Sequence, residues 1–186
     1  MIKKSFLILL FFAFYACSTS MSNLQVETDY DPMADFSKFK TYAFMPGTGV
    51  HSTNKKVNND FVNSRIQKAI DQEMRSKGFI KTSYPEGNPD VWVAFTAILD
   101  RKSKSKVRQY TGDIRDWGAP GIDYYVSTSY YDEGSLLFDL VNPKTSKPVY
   151  KAIAKAELKM DVSWQEKEKR IDLGVKKCLK DYPPPK

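Results

Sequence analysis

Histidine and cysteine are nearly missing from this 186-residue chain, which holds one of the former, His51, and two of the latter, Cys17 and Cys178. A Ser-His-Asp triad would have to use His51, which stands in a polar stretch, and no Gly-x-Ser-x-Gly elbow presents a serine to it. No Cys, His, Asp and Glu recur at metal-ligand spacing. Gly47-Thr48-Gly49 lacks the third glycine and the strand-to-helix setting of a dinucleotide loop. The acidic pairs Asp113 with Asp116 and Asp132 with Glu133 fall in turn-like segments, a poor setting for general acid–base work. The chain therefore offers no catalytic residue, no metal site and no cofactor loop, and the expectation is that it is not an enzyme. It also lacks an internal repeat, and no apolar run reaches the roughly 20 residues of a membrane-spanning helix.

The longest apolar run, Phe6 to Ala16, lies just behind Lys3 and Lys4 and stops abruptly at Cys17-Ser18-Thr19-Ser20. That is the layout of a signal peptide, expected to occupy 1–16 and to be removed. Phe14-Tyr15-Ala16-Cys17 resembles the lipobox of bacterial lipoproteins, in which a small residue admits the scissile bond and the cysteine takes a diacylglyceryl thioether. Only a thiolate is nucleophilic enough for that transfer. The resemblance implies cleavage before Cys17, acylation of its new amino group and a stable tether, since several acyl chains bury many methylenes at about 0.8 kcal/mol each. The alternative is an ordinary secreted protein cut after a small residue such as Thr19. Residues 17–23 then form a Ser-rich flexible spacer; by resemblance to lipoprotein sorting, Ser18 after the cysteine implies the outer membrane, and the lack of an acidic cluster after Cys17 implies a domain facing the periplasm.

With Cys17 carrying lipid, Cys178 is unpaired. It shares the helical stripe Ile171, Val175, Cys178, Leu179 and Tyr182, which predicts a buried inert thiol. Without lipid, a Cys17–Cys178 disulfide is the other outcome. The net charge of +7 stays positive after Lys3 and Lys4 leave, so in an envelope the expected polyanions are lipid head groups and glycans rather than nucleic acid.

Residues 24–186 read as a single α+β domain: two layers, with a mixed or largely antiparallel sheet of about five or six strands and two helices on one face. Strands are expected over 24–30 and 41–45, joined through a one-turn plug bearing Phe36 and Phe39. Asn58 or Asn59 caps a first helix that runs to about Lys77 and stops at Gly78. The strongest strand is 90–99, apolar on both faces and hence central. A meander of 123–131, 135–141 and 147–158 follows, with turns at Asp132-Glu133-Gly134 and Asn142-Pro143-Lys144. The alanines of its last strand invite a helix to lie close. Ser163-Trp164-Gln165-Glu166 is a capping box for the final helix. Between strands, 100–122 reads as a long variable loop.

The order of these segments resembles a family of bacterial lipoproteins known only as domain of unknown function 4136. The resemblance rests on Val26-Glu27-Thr28-Asp29-Tyr30-Asp31-Pro32, Asp35-Phe36 with Lys40-Thr41-Tyr42-Ala43-Phe44, Lys77-Gly78-Phe79, Pro89-Asp90-Val91, Tyr131-Asp132-Glu133-Gly134-Ser135-Leu136, Asp139-Leu140-Val141-Asn142 and Val149-Tyr150-Lys151-Ala152. The family more often has Trp at the positions of Phe44 and Tyr150, Asp at Asn142 and Gly at Ala152. It brings no catalytic residues.

Two features remain as candidate sites. Lys102, Lys104, Lys106 and Arg108 alternate, so an extended backbone puts all four on one side, where they can grip the phosphates of lipid head groups or lipopolysaccharide. Tyr110, Trp117, Tyr124 and Tyr125 crowd the same region and can form an aromatic surface for a glycan or a protein. The resulting expectation is a membrane-anchored, non-catalytic module that binds or scaffolds another envelope component. Its rival is a periplasmic binder of a small amphiphile or glycan, which a roomy apolar pocket would favour, and behind both stands an unrecognised hydrolase.

Overall fold

A computed structural model describes residues 23–52, 54–55, 57–83, 86–113 and 120–184; within 109–125 it describes backbone alone. The signal peptide, Cys17, and most of the spacer, expected over 1–22, lie outside the described residues. No helix among those described is long and apolar enough to cross a membrane.

Seven strands form one mixed sheet: β1 (Gln25–Tyr30), β2 (Thr41–Phe44), β3 (Gly49–Val50), β4 (Ile80–Lys81), β5 (Val91–Asp113), β6 (Pro120–Val141) and β7 (Pro148–Leu158). They stand in the order β1-β7-β6-β5-β2-β4, with β3 paired further along β5. Pairing is antiparallel from β1 to β5 and parallel where β5 meets β2 and β3. Helices α1 (Asp60–Ser76) and α2 (Trp164–Cys178) pack on one face, which completes a two-layer α+β domain. The two strands beyond the expected count, β3 and β4, are two residues each, too short to show an alternating pattern.

Local chemistry sets the helix ends. The Asn59 side chain accepts from the Val62 N–H, and Gly78, at φ +86°, closes the other end in a conformation that a Cβ would strain. The Ser163 hydroxyl accepts from the Glu166 N–H at 3.2 Å, while the Glu166 carboxylate turns to Arg170 instead of closing the box. Asp90 ties β2 to β5 by accepting from the Lys40 and Thr41 N–H groups and from the Thr41 hydroxyl, each at 2.9 Å. Those donors hold its carboxyl below the usual carboxylate range.

The core lies between the layers, where Val91, Val93, Phe138, Leu140 and Tyr150 of the sheet meet Ile70, Met74, Val175 and Leu179 of the helices. The one-turn helix Phe36–Lys38 plugs its lower end, with the Phe36 ring edge-on to Tyr182 at 5.6 Å. The opposite face of the sheet is half-buried at Trp92, Ala94, Ile98, Leu137 and Ile153, in keeping with a central strand apolar on both sides.

Two expectations need correction. Where the segment 100–122 is described, at 100–113 and 120–122, it is strand and not loop, since β5 and β6 stay in register from Trp92↔Val141 out to Asp113↔Pro120. Asp132-Glu133-Gly134 is likewise no turn: β6 runs straight through it, paired on both sides. The physical reason is at Gly134, where an added Cβ would come within 2.6 Å of the Leu158 side chain. Glycine sits in this strand because a neighbour occupies its side-chain space.

Candidate functional site

At one end of the sheet the two layers part around a cavity of about 170 Å³. Its floor is the sheet, through Ala97, Leu99, Leu136, Ala154 and Ala156, and its walls are Val62 and Ile66 of α1 and Ile171 and Gly174 of α2. Leu24, Leu158 and Met160 close the sides. The expectation that the alanines of β7 would let a helix lie close holds only in part. Near Ala152, the bulk of Val175, Cys178 and Leu179 fills the gap. Higher up, Ala154 and Ala156 face Gly174, and a Cβ at Gly174 would meet nothing within 4 Å. Small residues on both sides of the interface leave space.

Four cations belong to this pocket: Arg65, Lys159, Lys167 and Arg170. Arg170 is engaged by Glu166 at 3.0 Å, and Lys68 pairs with Glu168 at 2.8 Å from one helix to the other. No carboxylate among the described residues pairs with Lys159 or Lys167. Both helices also start at this end, so their N-terminal partial charges add positive potential, offset in part by Asp60 and Glu166. The site is therefore an aliphatic cleft with a cationic mouth. It can hold an alkyl chain or small ring and attract an anionic head, and its lining supplies no acid–base pair.

From the same end projects a two-stranded ribbon. β7 leaves β6 at Asp132↔Leu158, and β3 leaves β5 at Val50↔Ala97, so Arg101–Asp113 and Pro120–Tyr131 are paired only with each other among the described residues. Lys102, Lys104, Lys106 and Arg108 are all exposed and stand at alternate positions of β5, cross-strand from Tyr131, Ser129, Ser127 and Tyr125. Lys102 stands 3.8 Å from the carboxylate of Asp100. The alternate positions carry Ser103, Ser105 and Val107, with the Arg101 guanidinium over the Tyr130 ring at 5.3 Å.

The family model described as a domain of unknown function (DUF4136) matches residues 26–184. The chain belongs to this family. Among solved structures, it is similar to a DUF4136 family protein from Bacteroides thetaiotaomicron at 16% identity and a TM-score of 0.51, covering 87% of this chain and 97% of that one. It is similar also to a PDZ domain protein from Parabacteroides distasonis, at 14% identity and a TM-score of 0.49 over 91% of this chain. This chain spans 38% of the length of that protein. A PelC dodecamer from Paraburkholderia phytofirmans is a further likeness at 10% identity and a TM-score of 0.45, covering 84% of this chain and 95% of that one. No curated protein sequence matches it. The likeness to the DUF4136 family protein shows a shared fold and leaves the chemistry to the residues.

Of the residues singled out from sequence, the DUF4136 domain brings the basic four together on the ribbon. The side chains of Tyr110, Tyr124 and Tyr125, and the whole of Trp117, lie outside the described residues, as does Cys17. His51 is exposed, and its backbone N–H donates to the Ala97 carbonyl at 2.9 Å. Cys178 is fully buried, and burial pushes its thiol up to about 12, so it is an inert core residue. Sequence reasoning did not find the pocket. Its one available signal was a glycine inside a helix at a position facing a row of alanines.

Proposed function

We propose that this protein is a non-catalytic module of the bacterial cell envelope, tethered through lipid on Cys17 at the outer membrane and facing the periplasm, whose pocket holds the alkyl part of a small anionic amphiphile. The observation that carries this reading is the aliphatic cleft of about 170 Å³ with Lys159 and Lys167 at its mouth. The size decides the ligand class: dry core cavities of about 150 Å³ accept a benzene ring, so this one accepts a ring or a short stretch of chain, not a whole lipid. Apolar burial supplies the affinity, and the unpaired lysines select a negative head group. Between scaffolding and amphiphile binding, the aliphatic lining of the cleft favours the second.

The test uses the chain from Ser18 onward, since both layers lie wholly within residues 25–178. Octyl phosphate is titrated calorimetrically into the parent, Gly174→Leu, and Lys159→Gln/Lys167→Gln. Leucine at 174 enters open space, so the fold is kept while the cleft is filled. Binding to the parent, with a loss of at least about tenfold in Gly174→Leu and a smaller loss in the lysine pair, is the expected result. Equal binding by a folded Gly174→Leu would exclude the cleft. The anchor is tested apart from the cleft, by asking whether Cys17→Ala releases the mature protein from the membrane fraction.

A further inference from the structure

The ribbon raises a stability question that the domain does not answer by itself. Two strands with both outer edges open are marginal in water, because one pair of strands has no third neighbour and no layer to pack on. From Arg101 to Asp113 the arm measures about 40 Å at the rise of an extended strand. Both of its edges are unpaired among the described residues, and its described side chains at 101–108 and 126–130 are exposed. Among the described residues nothing packs on it, so a surface that it can lie against would stabilise it.

The position of the ribbon relative to the tether says what. β5 and β7 run toward the ribbon end of the sheet, and β1 runs away from it, starting with Gln25 opposite Lys155. Leu24 therefore lies at the ribbon end, where it lines the same pocket as Leu99 and Leu158 at the ribbon's base. Six residues separate Cys17 from Leu24, and the seven steps between them span at most about 25 Å. An arm of about 40 Å leaving from the end that is tied down within about 25 Å of a bilayer cannot clear that surface by standing upright. Inclined, it can lie along it.

The charge pattern fits that placement. Lys102, Lys104, Lys106 and Arg108 repeat at the spacing of alternate strand residues, about 7 Å, without a carboxylate cross-strand from any of them. Each basic side chain close to an anionic leaflet contributes roughly fivefold in binding.

We infer that the β5–β6 ribbon is a membrane-lying arm, whose row Lys102, Lys104, Lys106 and Arg108 rests on the phosphates of phospholipid head groups in the bilayer that holds the N-terminal lipid. The orientation rests on the anchor proposed above; the contact itself does not. Lying flat, the arm gives the ribbon its missing support and turns the pocket mouth at its base toward the membrane, where amphiphiles partition.

The experiment again uses the chain from Ser18 onward, which carries no lipid. Co-sedimentation is measured with phosphatidylcholine vesicles and with vesicles containing 30% phosphatidylglycerol, at low and high salt. The parent is compared with a ribbon variant, Lys102→Gln/Lys104→Gln/Lys106→Gln/Arg108→Gln. It is also compared with a charge-matched control at the far end of the domain, Lys147→Gln/Lys176→Gln/Lys177→Gln/Lys180→Gln, all exposed. The parent and the control should bind anionic vesicles in low salt, and the ribbon variant on the order of several hundredfold less. Equal binding by the ribbon variant, or an equal loss in the control, would overturn the inference. Retention on phosphatidylcholine alone would overturn it too. Since no lipid is attached, failure here counts against the ribbon and leaves the Cys17 anchor to its own fractionation test.

Discussion

The Tyr150 hydroxyl donates a 2.7 Å hydrogen bond to the backbone carbonyl of Cys178, so that the sheet closes the C-terminal turn of α2 from inside the core. Carbonyls in the last turn of a helix have no partner within it, and at a buried end no water replaces one. Tyr150 thus does two things: its ring packs edge-on against Tyr182 at 5.2 Å, and its oxygen satisfies an orphan acceptor. Tyr150→Phe keeps the ring and removes the donor. The expected cost is about 1–3 kcal/mol in urea-induced unfolding, with the slope unchanged, because the carbonyl is left buried and unpaired.

The same cluster makes the domain sensitive to alkali. Burial pushes the Cys178 thiol from 9.0 to about 12 and the Tyr150 phenol from 10.0 to about 12. Both stay protonated in the native state while the unfolded chain releases its protons, so stability falls as pH rises from about 9 toward 12. Each group contributes roughly 1.4 kcal/mol per pH unit of its window. Cys178→Ala, measured against the parent, should flatten the fall between pH 9 and 10, where the thiol acts alone. A parallel decline in both proteins over that interval would show that the thiol does not titrate in this way.

Gly174 offers a separate test of the cleft. It sits inside α2, buried, with open space where a Cβ would go. Glycine inside a helix costs about 1 kcal/mol relative to alanine, so Gly174→Ala should raise stability by roughly 0.5–1 kcal/mol. A series of n-alkyl phosphates probes the same volume from the ligand side. Affinity should rise about fourfold per methylene, the equivalent of about 0.8 kcal/mol, until roughly six carbons are inside, and then level off. A series that climbs without a plateau would mean that the chain binds elsewhere.

Elements with a local cause could be read from the sequence. Asn59, Gly78 and the Ser163-to-Glu166 spacing mark helix ends through bonds made within one turn, and the alternation of Tyr150, Ala152, Ala154 and Ala156 marks the buried side of β7. The ribbon was hidden because both of its faces meet solvent: Ser103, Lys104, Ser105 and Lys106 have no apolar period to betray a strand, and only the register with β6 reveals one. Gly134 misled for a different reason. Its neighbours Asp132 and Glu133 have turn chemistry, whereas the glycine answers to Leu158, 24 residues away. The pocket is a matter of distance between layers. Ala154, Ala156 and Gly174 declare small side chains, but whether a helix closes on them depends on the bulk of Val175 and Leu179 one turn further on.

The face of the sheet away from the helices carries one carboxylate in an unfavourable place. Asp139 lies cross-strand between Ala94 and Lys151, half-buried, and burial raises its pKa above 3.8 despite the opposing field of Lys151. A raised carboxyl pKa means that the native state holds the proton more tightly than the unfolded chain does. This group therefore adds stability as pH falls through its native pKa, an effect complete below about 3.8, and subtracts it at neutral pH. Asp139→Asn should accordingly melt higher than the parent at pH 7, and the gap should close toward pH 3. Lys151→Gln adds the second half of the test: it should destabilise the parent at pH 7 by a few tenths of a kcal/mol and leave Asp139→Asn unchanged, since its benefit acts through the carboxylate. Identical effects of Lys151→Gln in both backgrounds would mean that the lysine stabilises β7 by some route other than Asp139.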